Sequence, residues 1–541
     1  MASKTYVLKF KLFFLTFISL SISLHVLTAI FQLTAPQIIN ISLMSDLFER
    51  GVSSGPSVYK FFEKEFKNKK SMIALVNMNT KDEEEWENLG VAKKVELERC
   101  SKELQWEDFM REWINEERWP LPKCPELPMP NFKEYDDFNM VVSRMPCGNG
   151  TQSEGIRDVF RLQVNLIVAN LVVASRRRPV YAVFLGSCGP MWEIFRCDDL
   201  LWQHGEVWVY KPDLRRLKQK VQMPVGTCLL SLPYVKQGDG EIKYLFSNLG
   251  STIRHPRVAY ATVLHSSEDY VCGAIALARS LLQTNTTKDL ILLADTSIST
   301  KSRQALNEAG WKIKHINRIR SPHAEKDSYN EWNYSKLRLW QLTEYDKIIF
   351  IDSDLIVIKN IDDFFLSPQL SASSNAKVLF NSGVMLIEPS ICTFKILMQK
   401  RHTLFSYNGG DQGFLNEAFT WWHRWPKKLN FLKMFDENDT QHELPDSVYA
   451  IHYLGLKPWM CYRDYDCNWD SVEQQAYASD MIHKRWWGVY DSMPRKLQRF
   501  CAMSRSMDFR IKEQRSLAKS VRLEDGHWNI RIKDPRKHHL V

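Results

Sequence analysis

From residue 257 onward the chain settles into a regular alternation of apolar patterns. Residues 258–264, 290–294, 312–316 and 347–351 are short apolar runs of strand length. Between them, residues 270–282, 300–309 and 334–342 carry apolar positions at the spacing of a helix face. Strands alternating with helices of this length predict a parallel sheet with helices on both faces. Ligands of such a sheet sit at the carboxyl ends of its strands. Upstream the pattern is weaker. Residues 156–174 have helical spacing and 180–185 read as a buried strand. Residues 71–150 are rich in charge, Trp and Pro, and read as irregular chain.

The N-terminus has a different pattern. Residues 12–45 contain no Asp, Glu, Lys or Arg, and 12–33 are mostly apolar. About 20 such residues cross a bilayer core. Lys4, Lys9 and Lys11 precede the run, which places the N-terminus in the cytoplasm and the rest in a lumen. A cleaved signal would have a shorter apolar core ending in small residues; this run ends in Phe31-Gln32-Leu33. A signal anchor is therefore expected. Sequons at Asn40, Asn149, Asn285, Asn333 and Asn438 agree with a lumenal chain.

With 541 residues, 44% hydrophobic, the chain is large enough for more than one core. Its 72 basic and 63 acidic residues give a net charge of +9, spread without a long basic block, so nucleic-acid binding is not expected. The most basic part, residues 495–539, reads as a solvated tail. The 11 cysteines lack metal-ligand spacing, and an odd count leaves at least one without an intrachain partner. Cys461 and Cys467 are near enough in sequence to close a short loop.

Four segments carry candidate chemistry. The apolar run Ile348-Ile349-Phe350-Ile351 leads straight into Asp352-Ser353-Asp354. In extended chain i and i+2 point the same way, so both carboxylates emerge together at the sheet edge. Such a pair repels unless a cation intervenes, and hard oxygen ligands suit Mn²⁺ or Mg²⁺. Ala450-Ile451-His452-Tyr453-Leu454-Gly455-Leu456-Lys457 delivers an imidazole, a glycine turn and a point charge suited to phosphate. Phe380-Asn381-Ser382-Gly383 and Asn408-Gly409-Gly410-Asp411-Gln412-Gly413 set polar groups beside glycines, where backbone can approach a ligand.

In this order the segments resemble glycosyltransferase family 8, the retaining GT-A enzymes that include glycogenin, over residues 258–459. Within it, the segments 333–340 (Asn333-Tyr334-Ser335-Lys336-Leu337-Arg338-Leu339-Trp340), 407–416 (Tyr407-Asn408-Gly409-Gly410-Asp411-Gln412-Gly413-Phe414-Leu415-Asn416) and 458–469 (Pro458-Trp459-Met460-Cys461-Tyr462-Arg463-Asp464-Tyr465-Asp466-Cys467-Asn468-Trp469) are most similar to plant glycogenin-like proteins that add α-glucuronosyl branches to xylan. The resemblance implies a Mn²⁺ site of Asp352, Asp354 and His452, with Asp352 also near the donor ribose. It implies a UDP-sugar donor held by Tyr270, Lys336, Asn381, Ser382, Gly455 and Lys457, and Asp411 and Gln412 beside the reacting carbon. The chain departs from the family pattern at Asn408, where many members have Asp, and in having one residue fewer between His452 and Lys457.

The expected fold class is α/β: a Rossmann-like GT-A domain after a transmembrane helix and a smaller α/β or irregular region. The expected divisions are a cytoplasmic tail at 1–11, the anchor at 12–33, a stem and irregular region at 34–150, a small α/β region at 151–256, the catalytic domain at 257–470 and a C-terminal extension at 471–541. The implied activity is retaining, Mn²⁺-dependent transfer of glucuronic acid from UDP-glucuronate to xylan by a single-pass type II Golgi membrane protein, in association with other wall-polysaccharide transferases. Arg338 is the candidate cation for the uronate carboxylate. Trp421, Trp422 and Trp425, with Trp486 and Trp487, are candidates for an acceptor groove. The same machinery would serve UDP-glucose or UDP-galactose in a glycogenin-like enzyme. A non-catalytic polysaccharide-binding scaffold would be expected to lack the Asp pair, His452 or Asp411, and all are present.

Overall fold

The computed structural model describes Phe62 and residues 71–88, 90–110, 116, 124–147, 157–231, 256–376, 378–436 and 442–538. The expected anchor at 12–33 lies outside them, as do the sequons at Asn40, Asn149 and Asn438. Among the described residues no helix is long and apolar enough to cross a membrane.

The larger sheet has seven strands. At its centre β7 (Val258–Leu264) lies between β10 (Lys347–Ile351) and β8 (Asp289–Ala294), with β9 (Lys312–His315) outermost. These four run parallel. Beyond β10 the sheet stops being parallel, against expectation. β13 (Leu379–Ile387) pairs antiparallel with β10 and with β12 (Ser371–Ala376), and β14 (His423–Trp425) closes that edge. The cause is the chain after β10, which returns as a β12–β13 hairpin in place of a crossover helix.

Helices cover both faces of the sheet. On one side α2 (Val271–Gln283) and α3 (Thr300–Ala309) bury Ile275, Leu277 and Leu306 with the side chains of α6 (Asp480–Asp491). On the other, the 3₁₀ helix Asn333–Gln341, α4 (Ile391–Lys400) and α5 (Asp411–Ala418) bury Leu337, Trp340, Leu397 and Phe414. A small third sheet joins β11 (Leu355–Val357), β15 (Phe431–Leu432) and β16 (Ala450–His452).

The N-terminal region corrects the sequence reading. Residues 71–144, expected to be irregular, supply β1 (Ser71–Val76), β2 (Gly90–Lys94) and β3 (Met140–Arg144). With β4 (Tyr181–Leu185), β5 (Leu200–His204) and β6 (Val207–Tyr210) they form a six-stranded sheet ordered β2-β1-β3-β4-β6-β5. The boundary expected at 150 therefore cuts through one sheet. Its strands are short and separated by charged segments, which hides their period. The nearly all-apolar helix α1 (Val159–Ala174) packs on this sheet. Cys124–Cys228 and Cys147–Cys188 close loops within it. Cys197–Cys392 and the buried Arg196–Glu388 pair at 2.7 Å tie it to the larger sheet.

The basic C-terminal stretch is no solvated tail. Leu497 and Met503 are buried, Cys501 is bonded to Cys272 of α2, and α7 (Arg505–Val521) follows with Ile511 and Ala518 buried. Arg536 is buried with Asp534 and donates to the carbonyls of Trp459 and Cys501. The rings of Phe435, His442, Trp469 and His527 stack in series across this region. His527 lies between Asp525 Oδ1 at 2.8 Å and Asp480 Oδ2 at 3.2 Å. Burial opposes its protonation, but the hydrogen bonds to Asp480 and Asp525 outweigh it and raise its pKa. The folded pKa thus exceeds the unfolded value of about 6.5. The stabilisation is complete below that value and is lost as pH rises through the folded one. Melting temperature is expected to fall with pH on the neutral side, and His527→Gln to flatten that slope. An unchanged slope in the variant refutes the assignment.

Candidate active site

β10 ends at Ile351, opposite Val384 of β13, and the ladder runs one step further. The Asp352 amide donates to the Gly383 carbonyl at 2.8 Å. Asp352 is thus fixed at the carboxyl edge of the central strand. After a tight turn, β11 pairs antiparallel with β16, with Leu355 opposite His452. The Tyr453 amide donates to the Asp354 carbonyl at 3.0 Å. The small sheet therefore carries His452, remote in sequence, onto the Asp-Ser-Asp turn. One ligand atom from each of Asp352, Asp354 and His452 lies within 4.8 Å of the others. Two carboxylates and an imidazole at this spacing fit a hard divalent cation.

A chain of hydrogen bonds orients the imidazole. Gly383 N donates to Asn381 Oδ1 at 2.8 Å, and Asn430 Nδ2 donates to the same oxygen at 2.9 Å. The amide of Asn430 is thereby set with its own Oδ1 facing His452 Nδ1 at 3.1 Å. An acceptor opposite Nδ1 favours the tautomer that donates there, and Nε2 turns to Asp354 Oδ1 at 3.3 Å. A Cβ on Gly383 would stand 2.6 Å from His452 Cε1, so only glycine fits beneath the ring. Asn430 belongs to no motif, and sequence reasoning missed it.

Lys336, buried on its 3₁₀ helix, contacts Asp411 Oδ2 at 2.6 Å and Asp352 Oδ1 at 3.3 Å. Burial disfavours its charge, yet Asp352 and Asp411 together raise its pKa. Ser382 Oγ also donates to Asp411 Oδ2, at 2.8 Å. Gln412 Oε1 accepts from Ser382 N at 3.1 Å. Asp411, Gln412, Lys336, Asn381, Ser382 and the Asp352–Asp354–His452 group thus form one connected cluster. Burial pushes the Asp352 carboxyl up, with Lys336 opposing and the neighbouring Asp354 adding. Asp354 is held low against burial by Lys457 and His452.

Lys457 reaches Asp354 Oδ2 at 2.8 Å despite the shortened spacing from His452. Gly455 makes the intervening turn at φ +70°, where a Cβ would strike Asn468 Oδ1. Tyr270 stands at the start of α2, half-buried, its ring edge-on to Trp459 at 5.7 Å. Burial first, then the Asp354 charge, raises its hydroxyl pKa. Asn408 Oδ1 accepts from the Gly410 amide at 3.0 Å and the Gly413 amide at 3.1 Å. Asn and Asp can both fill that acceptor role, so the departure at 408 leaves the loop intact.

Two expectations are corrected. Arg338 is engaged elsewhere, on the Asn317 carbonyl, Gln341 Oε1 and the Phe394 ring. Trp421, Trp422, Trp425, Trp486 and Trp487 are core residues, at most 2% exposed, and line no groove.

Comparison with known proteins follows the same outline. A model of the GUX1-5 N-terminal domain matches residues 52–228, and one of glycosyl transferase family 8 matches 261–461. UDP-glucuronate:xylan alpha-glucuronosyltransferase 2 of Arabidopsis thaliana is 50% identical over 86% of this chain and 81% of its own. UDP-glucuronate:xylan alpha-glucuronosyltransferase 1 is 44% identical over 86% and 72%. The chain belongs to glycosyltransferase family 8, in its UDP-glucuronate:xylan alpha-glucuronosyltransferase group. Human glycogenin-1 is 31% identical over 42% of this chain and 70% of its own. The family 8 match holds every member of the cluster above, and the N-terminal match holds the whole six-stranded sheet. The large mixed sheet with helices on both faces is the family's GT-A-like architecture.

Proposed function

We propose that this family 8 chain transfers glucuronic acid from UDP-glucuronate to xylan with retention of the α configuration. The observation that carries the reading is the strand-edge group Asp352, Asp354 and His452 beside the buried Lys336–Asp411 pair. It sets a cation site for a diphosphate against a carboxylate fit to face an anomeric carbon. Identity to named xylan glucuronosyltransferases across both halves supports the donor and acceptor.

Asp352, Asp354 and His452 would hold Mn²⁺, or Mg²⁺, which when bound neutralises charge on the departing diphosphate. Lys457 donates to the diphosphate beside it. Tyr270 packs against the uracil, and Lys336 with Asn381 and Ser382 orients the sugar. Lys336 and Ser382 both bind Asp411 Oδ2, which leaves Oδ1 for the reacting carbon. As the bond from the anomeric carbon to UDP oxygen breaks, that carboxylate stabilises the positive charge on the sugar. The bond's electron pair leaves on the diphosphate oxygen, the acceptor hydroxyl bonds to the same carbon, and its proton passes to that departing oxygen as UDP is released.

We place the catalytic region in the Golgi lumen behind a membrane anchor. Five disulfides among the described residues support an oxidising compartment. The test is a donor panel on the full chain: UDP-glucuronate, UDP-glucose and UDP-galactose with Mn²⁺ and xylo-oligosaccharides. Transfer from UDP-glucuronate alone, abolished by EDTA and by Asp354→Ala, is expected. Transfer from a neutral donor instead overturns the uronate reading.

A further inference from the structure

Four aromatic side chains stand out as exposed among the described residues, and three of them lie on the loops around residues 321–330 and 405–410: Tyr329 at 81%, Phe405 at 70%, edge-on to His323, and Tyr407 at 46%. They lie on two loops stitched together beside the Asp411 motif. Ser321 Oγ donates to the Gly409 carbonyl at 2.6 Å, and Asn330 Nδ2 to the Asn408 carbonyl at 2.6 Å. The segment 405–407 alternates: Ser406 turns inward, its Oγ on the Gly410 carbonyl at 2.7 Å, while Phe405 and Tyr407 turn out. That alternation leaves both rings on the outer side of the segment. Tyr407 is tied to the reaction site itself, because Gln412 Nε2 donates to its hydroxyl at 2.7 Å. The Tyr329 side chain is exposed over most of its surface, yet its hydroxyl reaches a desolvated position: burial first, then the charges of Asp354, Asp352 and Asp411, raises its pKa.

We propose that Tyr329, Phe405 and Tyr407 form the acceptor platform, and that its occupant is an uncharged chain of pyranose units, the xylan backbone. Three apolar rings left in water at one rim carry an energetic penalty unless something covers them. The C–H faces of a pyranose chain stack on such rings without needing a counter-charge. The donor diphosphate is drawn to the Lys457 side of the cluster, so the acceptor enters over the Asp411–Gln412 side, where these rings stand. The bond from Gln412 to Tyr407 registers the bound chain against the anomeric carbon. The identity of the chain rests on the function proposed above; the platform rests on the rings.

The test is acceptor kinetics on the full chain with xylohexaose, alongside direct xylohexaose binding without donor. Phe405→Ala and Tyr329→Ala are each expected to raise acceptor KM and the binding constant about tenfold, the scale of one stacking contact. The KM for UDP-glucuronate should move less than about twofold, and Phe405→Trp should recover most of the acceptor affinity. Unchanged acceptor KM in both alanine variants, while wild type still glucuronidates xylan, overturns the platform and spares the function. Equal loss of donor and acceptor affinity also overturns it, because that marks a general disturbance. If wild type prefers another polysaccharide and the variants lose that one, the platform stands and the xylan assignment falls.

Discussion

Asp411→Asn lowers kcat for glucuronosyl transfer by about three orders of magnitude and moves the KM for UDP-glucuronate by less than about threefold. The substitution keeps the volume and an oxygen where Lys336 and Ser382 bind. It removes the negative charge that faces the sugar as the leaving group departs, about 4 kcal/mol of barrier at this magnitude. Donor affinity is spared because it rests on Lys457, Tyr270 and the cation ligands. Stability falls less than the roughly 3–5 kcal/mol typical of a buried pair broken on one side, since Lys336 keeps Asp352 at 3.3 Å. Single-turnover kinetics beside a thermal melt separates the two effects. A folded variant turning over within tenfold of wild type would remove Asp411 from the chemistry. Azide added to Asp411→Ala asks a sharper question: formation of a glucuronosyl azide would mean the missing carboxylate had occupied the attacking face.

The cluster was partly legible in the sequence because an apolar strand ending in carboxylates has few uses. Residues 347–351 can pair on both sides only in a sheet interior, and Asp352 and Asp354 must then leave it at the edge. The N-terminal sheet was hidden for the opposite reason. Ser71–Val76 and Met140–Arg144 are five or six residues each, set among charge and Pro, so no period builds up. β13 was obscured by its own function: Asn381 and Ser382 are polar residues inside a buried strand, and they interrupt the apolar run that marks one. The tryptophans show a limit of composition. A Trp in a core and a Trp on a sugar platform are the same letter, and only burial assigned Trp421 and Trp422 to the core. Among the exposed rings, Phe405 and Tyr329 belong to no motif.

Asn430→Ala is expected to weaken Mn²⁺ binding about 10- to 100-fold although Asn430 touches no metal. The argument is one of orientation. Asn430 Nδ2 is committed to Asn381 Oδ1, itself held by the Gly383 amide, so Oδ1 alone is left for His452 Nδ1. That acceptor keeps the proton on Nδ1 and the lone pair on Nε2. Without it the buried ring can turn or change tautomer, and Nε2 is then lost as a ligand while Asp352 and Asp354 remain. Asn430→Asp retains an oxygen for Nδ1 but loses the donor to Asn381, and should fall between wild type and the alanine variant. Free Mn²⁺ measured by its paramagnetic signal gives the affinity directly, without turnover. A positioning role further requires that excess Mn²⁺ restore most of kcat in Asn430→Ala, which a general collapse of the site would not allow. An affinity within about twofold of wild type would mean that packing around His452, with Gly383 beneath the ring, suffices to fix the imidazole.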